Sequence, residues 1–203
     1  MGARFQVNVT NNSTQSTTMI LFQKVPDQDW FQGLSVVWKS QRLSPGSKAI
    51  FDWSRDFCFV AANTGQLKPG LRFNTDSILS ADPNERNNAA TLEANGGNCQ
   101  FSIGQGGQPG KLTIVTSNSI PMQPQFSAGI GMSDAATVIG QARPGMNYQF
   151  SADVEYWVAF GNYENGQVLS QNVVNAARIS FPNGVTNMKV VLNQDNSYTI
   201  NPA

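Results

Sequence analysis

Short alternations of apolar and polar residues dominate the chain. The segment FQVNVT, residues 5–10, places an apolar side chain at every second position, which predicts a strand with one buried face. The segment EYWVAF, residues 155–160, is apolar on both faces, which is typical of an interior strand. Because such short runs recur and no long stretch has a helical period, the pattern predicts an all-β chain.

The predicted strands are separated by turns rich in glycine, proline and asparagine. Besides residues 155–160, the predicted strands comprise residues 5–9, 18–25, 34–40, 49–53, 57–62, 91–94, 99–103, 111–116, 128–132, 137–141, 146–152, 185–193 and 197–201. The sequence NGGN at Asn95–Asn98 is a hairpin signal. Residues 171–177 are the only place where a short helix is plausible. These signals predict an antiparallel β-sandwich, jelly-roll-like, with little or no helix.

The aromatic stretch Asp153–Leu169 is the expected centre of the core. Its strand runs into the turn-rich segment Asn162–Gly166, and Gln167–Ser170 then resumes a β-like pattern. The sequence therefore predicts a hairpin whose return strand is Gln167–Ser170. A chain of 203 residues also suits a single sandwich domain, residues 1–203.

The charge composition favours association over nucleic-acid binding. Charged residues make up 13% of the chain, and 13 basic side chains balance 13 acidic ones. With no basic excess to neutralise phosphates, nucleic acid is not an expected partner. Little like-charge repulsion opposes self-association. The first prediction is therefore a homo-oligomer or filament, with strand addition at a sheet edge as one route.

The chain contains no histidine. This excludes a Ser-His-Asp triad, a Cys-His pair and most zinc sites, so we predict a non-catalytic protein without catalytic residues. A small glycosidase is a remote alternative because such enzymes need two carboxyl groups. Asp153 and Glu155 face the same side of a strand, although charges at the start of a strand are the more common explanation.

No metal or cofactor is predicted. Asp27, Asp29, Asp52 and Asp56 are candidate oxygen ligands for calcium. However, the sequence PDQD lacks the spacing of a calcium-binding loop, and acidic residues in turns usually serve solvation or capping.

Three aromatic residues are the candidate binding residues of the sequence. Trp30, Phe31 and Trp38 would form a platform for a sugar face or a lipid headgroup if they were exposed. The alternative is that they belong to the core. An exposed set would indicate a lipid- or glycan-binding, toxin-like module, which is our second function class.

Cysteine usage and the N-terminus bear on the cellular compartment. Cys58 lies in the apolar segment DFCFVAA, which favours a buried thiol over a disulfide with Cys99. The N-terminus lacks the apolar run of a signal peptide, and no apolar segment is long enough to span a bilayer. These features predict a cytoplasmic protein, one exported without a leader, or a chain that has already been processed.

Several blocks of the sequence resemble a known family. They are NVTNNSTQS near the start, FDWSRDFCFVAANTGQLKPG at residues 51–70, AGIGMSDAATVIGQARPGMNYQF, and VEYWVAFGNYENGQVL. Together they resemble the rhizosphere-induced protein family, RhiA, over about residues 5–200. The resemblance implies a bacterial protein expressed around plant roots, with no catalytic residues to carry over. The opening FQVNVTNNST is also similar to the first strand of aegerolysins, which are β-sandwich proteins that bind membrane lipids.

Overall fold

The computed structural model describes residues 3–26 and 33–203. In these residues the chain forms seventeen strands and one short 3-10 helix, Arg86–Asn88. The strands are β1 (Arg4–Asn11), β2 (Thr17–Lys24), β3 (Leu34–Ser35), β4 (Lys39–Leu43), β5 (Lys48–Ser54), β6 (Phe57–Asn63), β7 (Ser77–Ala81), β8 (Ala89–Asn95), β9 (Asn98–Ile103), β10 (Lys111–Thr116), β11 (Phe126–Met132), β12 (Ala135–Gln141), β13 (Asn147–Ser151), β14 (Glu155–Gly161), β15 (Ala176–Ile179), β16 (Asn187–Leu192) and β17 (Tyr198–Pro202). The predicted all-β class is confirmed.

The described strands form four sheets. Sheet A has the order β17-β16-β1-β5, sheet B β15-β14-β2-β4, sheet C β3-β12-β11-β6-β7, and sheet D β13-β10-β8-β9. Among the described pairings, β1–β16 and β8–β10 are parallel and the others are antiparallel. One core contains buried side chains from all four sheets, for example Val7, Tyr156, Ile130 and Ile114. The architecture is sandwich-like, and the single-domain interpretation remains a prediction.

Sheet C is covered on both faces. In β6, Phe57 and Phe59 point into the shared core, whereas Cys58 and Val60 point into a second apolar cluster on the outer face. Residues 64–76 cover that cluster and contribute side chains such as Phe73. A strand buried on both sides needs a continuous apolar sequence, which explains the run FCFVAA.

Sheet B is covered in the same way. In β2, Met19 and Leu21 belong to the shared core, and Ile20 and Phe22 pack into a third cluster on the outer face. Residues 162–175 supply Leu169 to this third cluster. The apolar run MILF is therefore also a strand between two packed layers.

Sheet A leaves its outer face open to solvent. In β1, Val7 and Val9 are fully buried, while Gln6 and Asn8 on the other face are partly exposed. The Gln6 side-chain amide donates to Asn8 Oδ1 at 2.9 Å, and the Asn8 amide donates to Asn187 Oδ1 at 2.8 Å. A polar network of amides thus crosses this face, as the alternation in the sequence predicts.

The predicted aromatic hairpin is wrong in its return strand. β14 pairs with β2 and with β15, so the return strand is Ala176–Ile179 and not Gln167–Ser170. Gln167 and Val168 instead form isolated bridges with Arg72 and Val36. The segment lies across the outer faces of sheets B and C because its apolar side chains are buried there.

Other local predictions had mixed outcomes. The NGGN hairpin is confirmed, because Asn95 pairs with Asn98 across a two-glycine turn. The helix suggested at residues 171–177 is wrong, since Ala176 already belongs to β15. The predicted strand 34–40 is divided, with β3 in sheet C and β4 in sheet B. No helix in the described residues is long and apolar enough to span a membrane.

Candidate association surface

Sheet A ends at β5, whose outer edge has no partner strand among the described residues. The amide of Asn11 donates to the Ser47 carbonyl at 3.0 Å, and the amide of Arg55 donates to the Ala3 carbonyl at 3.2 Å. Odd-numbered residues of β5 therefore direct their backbone groups toward β1. Because backbone groups alternate in direction along a strand, residues 48, 50 and 52 direct theirs away from the sheet.

A groove runs along this free edge. β4 and β5 are joined by the turn Ser44–Ser47, but β4 enters sheet B while β5 enters sheet A. The space between them has a volume of about 440 Å³ and is lined by Trp38–Gln41 on one side and Ala49–Asp52 on the other. A pocket of this size falls within the range of ordinary ligand sites. The groove thus places two strand edges opposite each other.

The free edge has a defined end. Ser133 Oγ accepts a hydrogen bond from the Ser54 amide at 3.1 Å and donates to the Ser54 carbonyl at 2.8 Å. One hydroxyl therefore satisfies both outward backbone groups of Ser54. Within residues 3–26 and 33–203, the part of this edge that has no partner strand extends over residues 48–52.

Trp38 lies at the wall of the groove but is not an exposed platform. It is 3% exposed, and its indole N–H donates to the Met132 carbonyl at 3.1 Å. Its ring packs edge-on against Trp53 with a centroid distance of 5.2 Å. Trp30 and Phe31 lie outside the described residues. A ligand-binding role for the three aromatic residues remains a prediction.

The charges of the groove are close together and of opposite sign. The Lys39 ammonium lies 5.2 Å from the centre of the Trp38 ring. Burial lowers the pKa of Lys39, and the nearby Asp52 carboxylate opposes that shift. On the outer face of β5, Lys48 and Asp52 flank Ile50, which is 62% exposed. The edge therefore combines one apolar side chain with one charge of each sign.

A second, larger cavity is lined by several carboxylate side chains. It has a volume of about 780 Å³, and its lining includes Asp56, Asp82, Glu85 and Asp153 together with Arg55. A carboxylate oxygen of Asp82 accepts the backbone amide two residues further on, as in an ordinary Asx turn. In the described part of the chain, no three His, Cys, Asp or Glu side chains are grouped so as to hold a metal ion.

The carboxylate pair named from the sequence does not converge on this cavity. Asp153 lines it and Glu155 does not, although both side chains line a separate cavity of about 440 Å³ that also contains Arg55 and Arg178. One oxygen of Glu155 pairs with Arg178 at 3.0 Å, and the other accepts the Trp157 indole N–H at 3.0 Å. Since both oxygens are engaged, the contacts favour a role for Glu155 in holding β14 to β15.

Comparison with known proteins assigns the chain to a family. The sequence model of the RhiA family matches residues 2–203. The chain belongs to the RhiA family. It is similar to Protein RhiA of Rhizobium leguminosarum bv. viciae, with 32% identity over 206 residues that cover 100% of this chain and 88% of the relative. The resemblance seen in the sequence blocks is thus confirmed. No solved structure matches the chain.

The sequence of this RhiA-family chain did not reveal the groove: among its lining residues only Trp38 was predicted as a binding residue, and Asp52 was considered only as a calcium ligand. One signal was present. In KAIFDWS the polar face of an alternating strand is interrupted by Ile50, an apolar residue at a solvent position. An exposed apolar residue between two charges is a reason to suspect a contact surface.

Proposed function

We propose that this RhiA-family protein acts through association with copies of itself, without catalysing a reaction, in the plant-associated life of a bacterium. The observation that carries the proposal is the edge of β5 at residues 48–52, which has no partner strand in the described part of the chain and lies beside a groove of about 440 Å³. Free strand edges are templates for pairing with another chain. Main-chain hydrogen bonds would supply affinity and the side chains of β5 would supply specificity.

The composition supports association. The 13 acidic and 13 basic side chains cancel, so two copies approach each other without a net electrostatic barrier. The outer face of sheet A presents mainly amides and hydroxyls, which hydrogen-bond without the desolvation cost of full charges. A second copy would extend this face.

The opposite edge of sheet A is less suited to pairing. In β17, Asn201 pairs with Lys189, and the amide of Ala203 donates to the Asn187 carbonyl at 3.0 Å. Tyr198, Ile200 and Pro202 therefore lie at the outward positions, and Pro202 has no amide hydrogen to donate. A filament needs a second interface in addition to β5. A small closed oligomer is the assembly that the β5 edge alone would produce.

The experiment is a measurement of mass in solution. Size-exclusion chromatography with light scattering, over a hundredfold range of protein concentration, is expected to show a defined homo-oligomer. Negative-stain microscopy of the same fractions separates closed particles from filaments. A strict monomer at the highest concentration would contradict the proposal.

The other function classes are tested on the same preparation. Liposome sedimentation and glycan arrays examine the lipid- or glycan-binding module raised by Trp30 and Phe31. Binding by the monomer, lost in Trp30→Ala, would replace association as the proposed function. If the protein hydrolysed a glycoside and Asp153→Asn abolished that activity, the remote glycosidase alternative would replace association as the proposed function. Absence of both activities in an oligomeric protein would support association.

A further inference from the structure

We propose that two copies of the chain pair through β5 in an antiparallel register centred on Ile50. The inference rests on the proposed function, because it specifies the surface and the register through which association occurs. It follows from three features of one edge: the direction of the backbone groups, the order of the charges and the exposure of Ile50.

The backbone defines which registers are allowed. Residues 48, 50 and 52 carry the outward backbone groups of β5, so a second β5 must place its own residues 48, 50 and 52 opposite them. In an antiparallel pair such opposed residues exchange two hydrogen bonds each. Three registers pair at least two of these residues with one another, with the two-fold axis at Ala49, at Ile50 or at Phe51.

The side chains choose among these registers. With the axis at Ile50, Lys48 faces Asp52 of the second copy, and Asp52 faces the second copy's Lys48. With the axis one residue away in either direction, a charged side chain faces Ile50 instead. Opposite charges directly across two strands stabilise the pair, whereas a charge against an aliphatic side chain is desolvated without compensation. The charges therefore select the register centred on Ile50.

The same register explains the exposed isoleucine. Ile50 is 62% exposed on a face where its neighbours across the sheet, Asn8 and Lys189, are polar. At the two-fold axis, Ile50 packs against its own counterpart, so the apolar surface leaves water in both copies. An isologous contact of this kind closes into a dimer.

The length of the free edge fits three residue pairs. The turn Ser44–Ser47 limits it at one end. At the other end, Ser133 already satisfies the outward groups of Ser54. The dimer would contain one continuous sheet, in which β5 of each copy is an interior strand.

Charge exchange tests the register. We expect Lys48→Asp and Asp52→Lys each to weaken self-association by about tenfold or more, because each places like charges opposite one another. An equimolar mixture of the two variants should associate again, because every introduced charge then faces an opposite one. The double variant K48D/D52K should restore self-association. Sedimentation velocity measures all four samples, and circular dichroism verifies that each variant is folded.

The matched control is Lys189→Asp. Lys189 is exposed on the same outer face but lies on β16, away from the edge. The substitution makes the same change in net charge and should leave association within about twofold of the unmodified chain. Equal weakening by Lys189→Asp and Lys48→Asp would overturn the register, since net charge alone would then explain the effect.

Cross-linking separates the register from the wider proposal. In Ile50→Cys, a short bis-maleimide should link two copies in high yield. In Ile103→Cys it should not, although Ile103 is 67% exposed and Ile50 is 62% exposed. The native Cys58 and Cys99 are 1% and 7% exposed and will not compete. Equal yields from the two variants of an oligomeric protein would overturn the register but leave association intact. A monomeric native protein would overturn both.

Discussion

Sheets C and A differ in their outer faces, because that of sheet C is covered by other residues and that of sheet A is exposed to solvent. β6 of sheet C is buried along six consecutive residues because residues 64–76 cover its outer face. β1 of sheet A alternates, with Val7 and Val9 inside and amide side chains outside. The comparison predicts that stability is concentrated where a strand is packed on both faces, because more apolar surface leaves water there. The uncovered sheet keeps a face and an edge that another molecule can reach.

The largest effect should come from adding a side chain to the centre of sheet C. Any Cβ on Gly129 of β11 would collide with the Val138 carbonyl oxygen and would lie 2.7 Å from Ile139 Cα. Because both obstacles are backbone atoms of β12, we expect Gly129→Val to abolish folding, as seen by loss of soluble protein and of cooperative unfolding.

The control for this substitution is Gly97→Ala. Gly97 lies in the turn between β8 and β9, and no atom is within 4 Å of a Cβ built there. The free energy of unfolding of this variant should lie within about 0.5 kcal/mol of that of the unmodified chain. A soluble, cooperatively folded Gly129→Val protein would show that β11 and β12 can move apart to admit a side chain.

The next largest effect should come from Phe59→Ala in β6. Phe59 is fully buried in the shared core, and its ring lies 5.9 Å from that of Phe101. Removing the ring should lower the free energy of unfolding by about 3–5 kcal/mol in urea titrations. A loss below about 1 kcal/mol would contradict the tight packing of β6 against the shared core.

Each unit of pH above 9 should produce a smaller effect, through two buried thiols, Cys58 in β6 of sheet C and Cys99 in β9 of sheet D. Burial raises the pKa of the Cys58 thiol from 9.0 to about 12 and that of Cys99 to about 11. Between pH 9 and 11 the unfolded chain therefore releases thiol protons that the folded chain retains. Stability must fall as pH rises, by about 1.4 kcal/mol per pH unit for each such proton.

The contribution of Cys58 can be isolated by replacing it with alanine. In Cys58→Ala, unfolding should release about one proton fewer, so the free energy of unfolding should fall less steeply with pH. The variant should be less stable than the unmodified chain at pH 7 because it has lost a buried side chain. Burial also raises the pKa of Tyr156, and this part of the slope should persist in the variant. An unchanged slope would show that the Cys58 thiol ionises in the folded state.

The smallest effect should come from the open face of sheet A. Asn8 makes a side-chain hydrogen bond to Asn187, but both side chains remain partly exposed to water. We therefore expect Asn8→Ala to change the free energy of unfolding by about 0.5 kcal/mol or less. A loss comparable with that of Phe59→Ala would remove the distinction between the two sheets.

Part of the fold was predictable because single strands carry their own signals. The alternation of FQVNVT and the apolar run FCFVAA each reveal how many faces of the strand are buried. The pairing of β14 was not predictable, because Gln167 and Val168 find their partners at Arg72 and Val36, far away in the chain. A local pattern shows that a segment is extended but does not name the strand that it meets.

The candidate site was predictable only in its parts. Trp38 and the turn Ser44–Ser47 are visible in the sequence. The groove exists because β4 and β5, adjacent in the chain, join different sheets. The separation of β4 from β5 depends on how all four sheets pack around the core, which no local pattern reveals. The burial of Trp38 and the exposure of Ile50 both depend on that separation.

The parallel pairing of β1 with β16 has a consequence for biosynthesis. β1 meets β5 soon after both have been translated, whereas β16 is made only when most of the chain has left the ribosome. The edge of β1 that pairs with β16 therefore has no partner during most of translation, since contacts between distant residues form late. Until β16 is made, that side of β1 is an unpaired strand edge, and such edges are templates for mispairing.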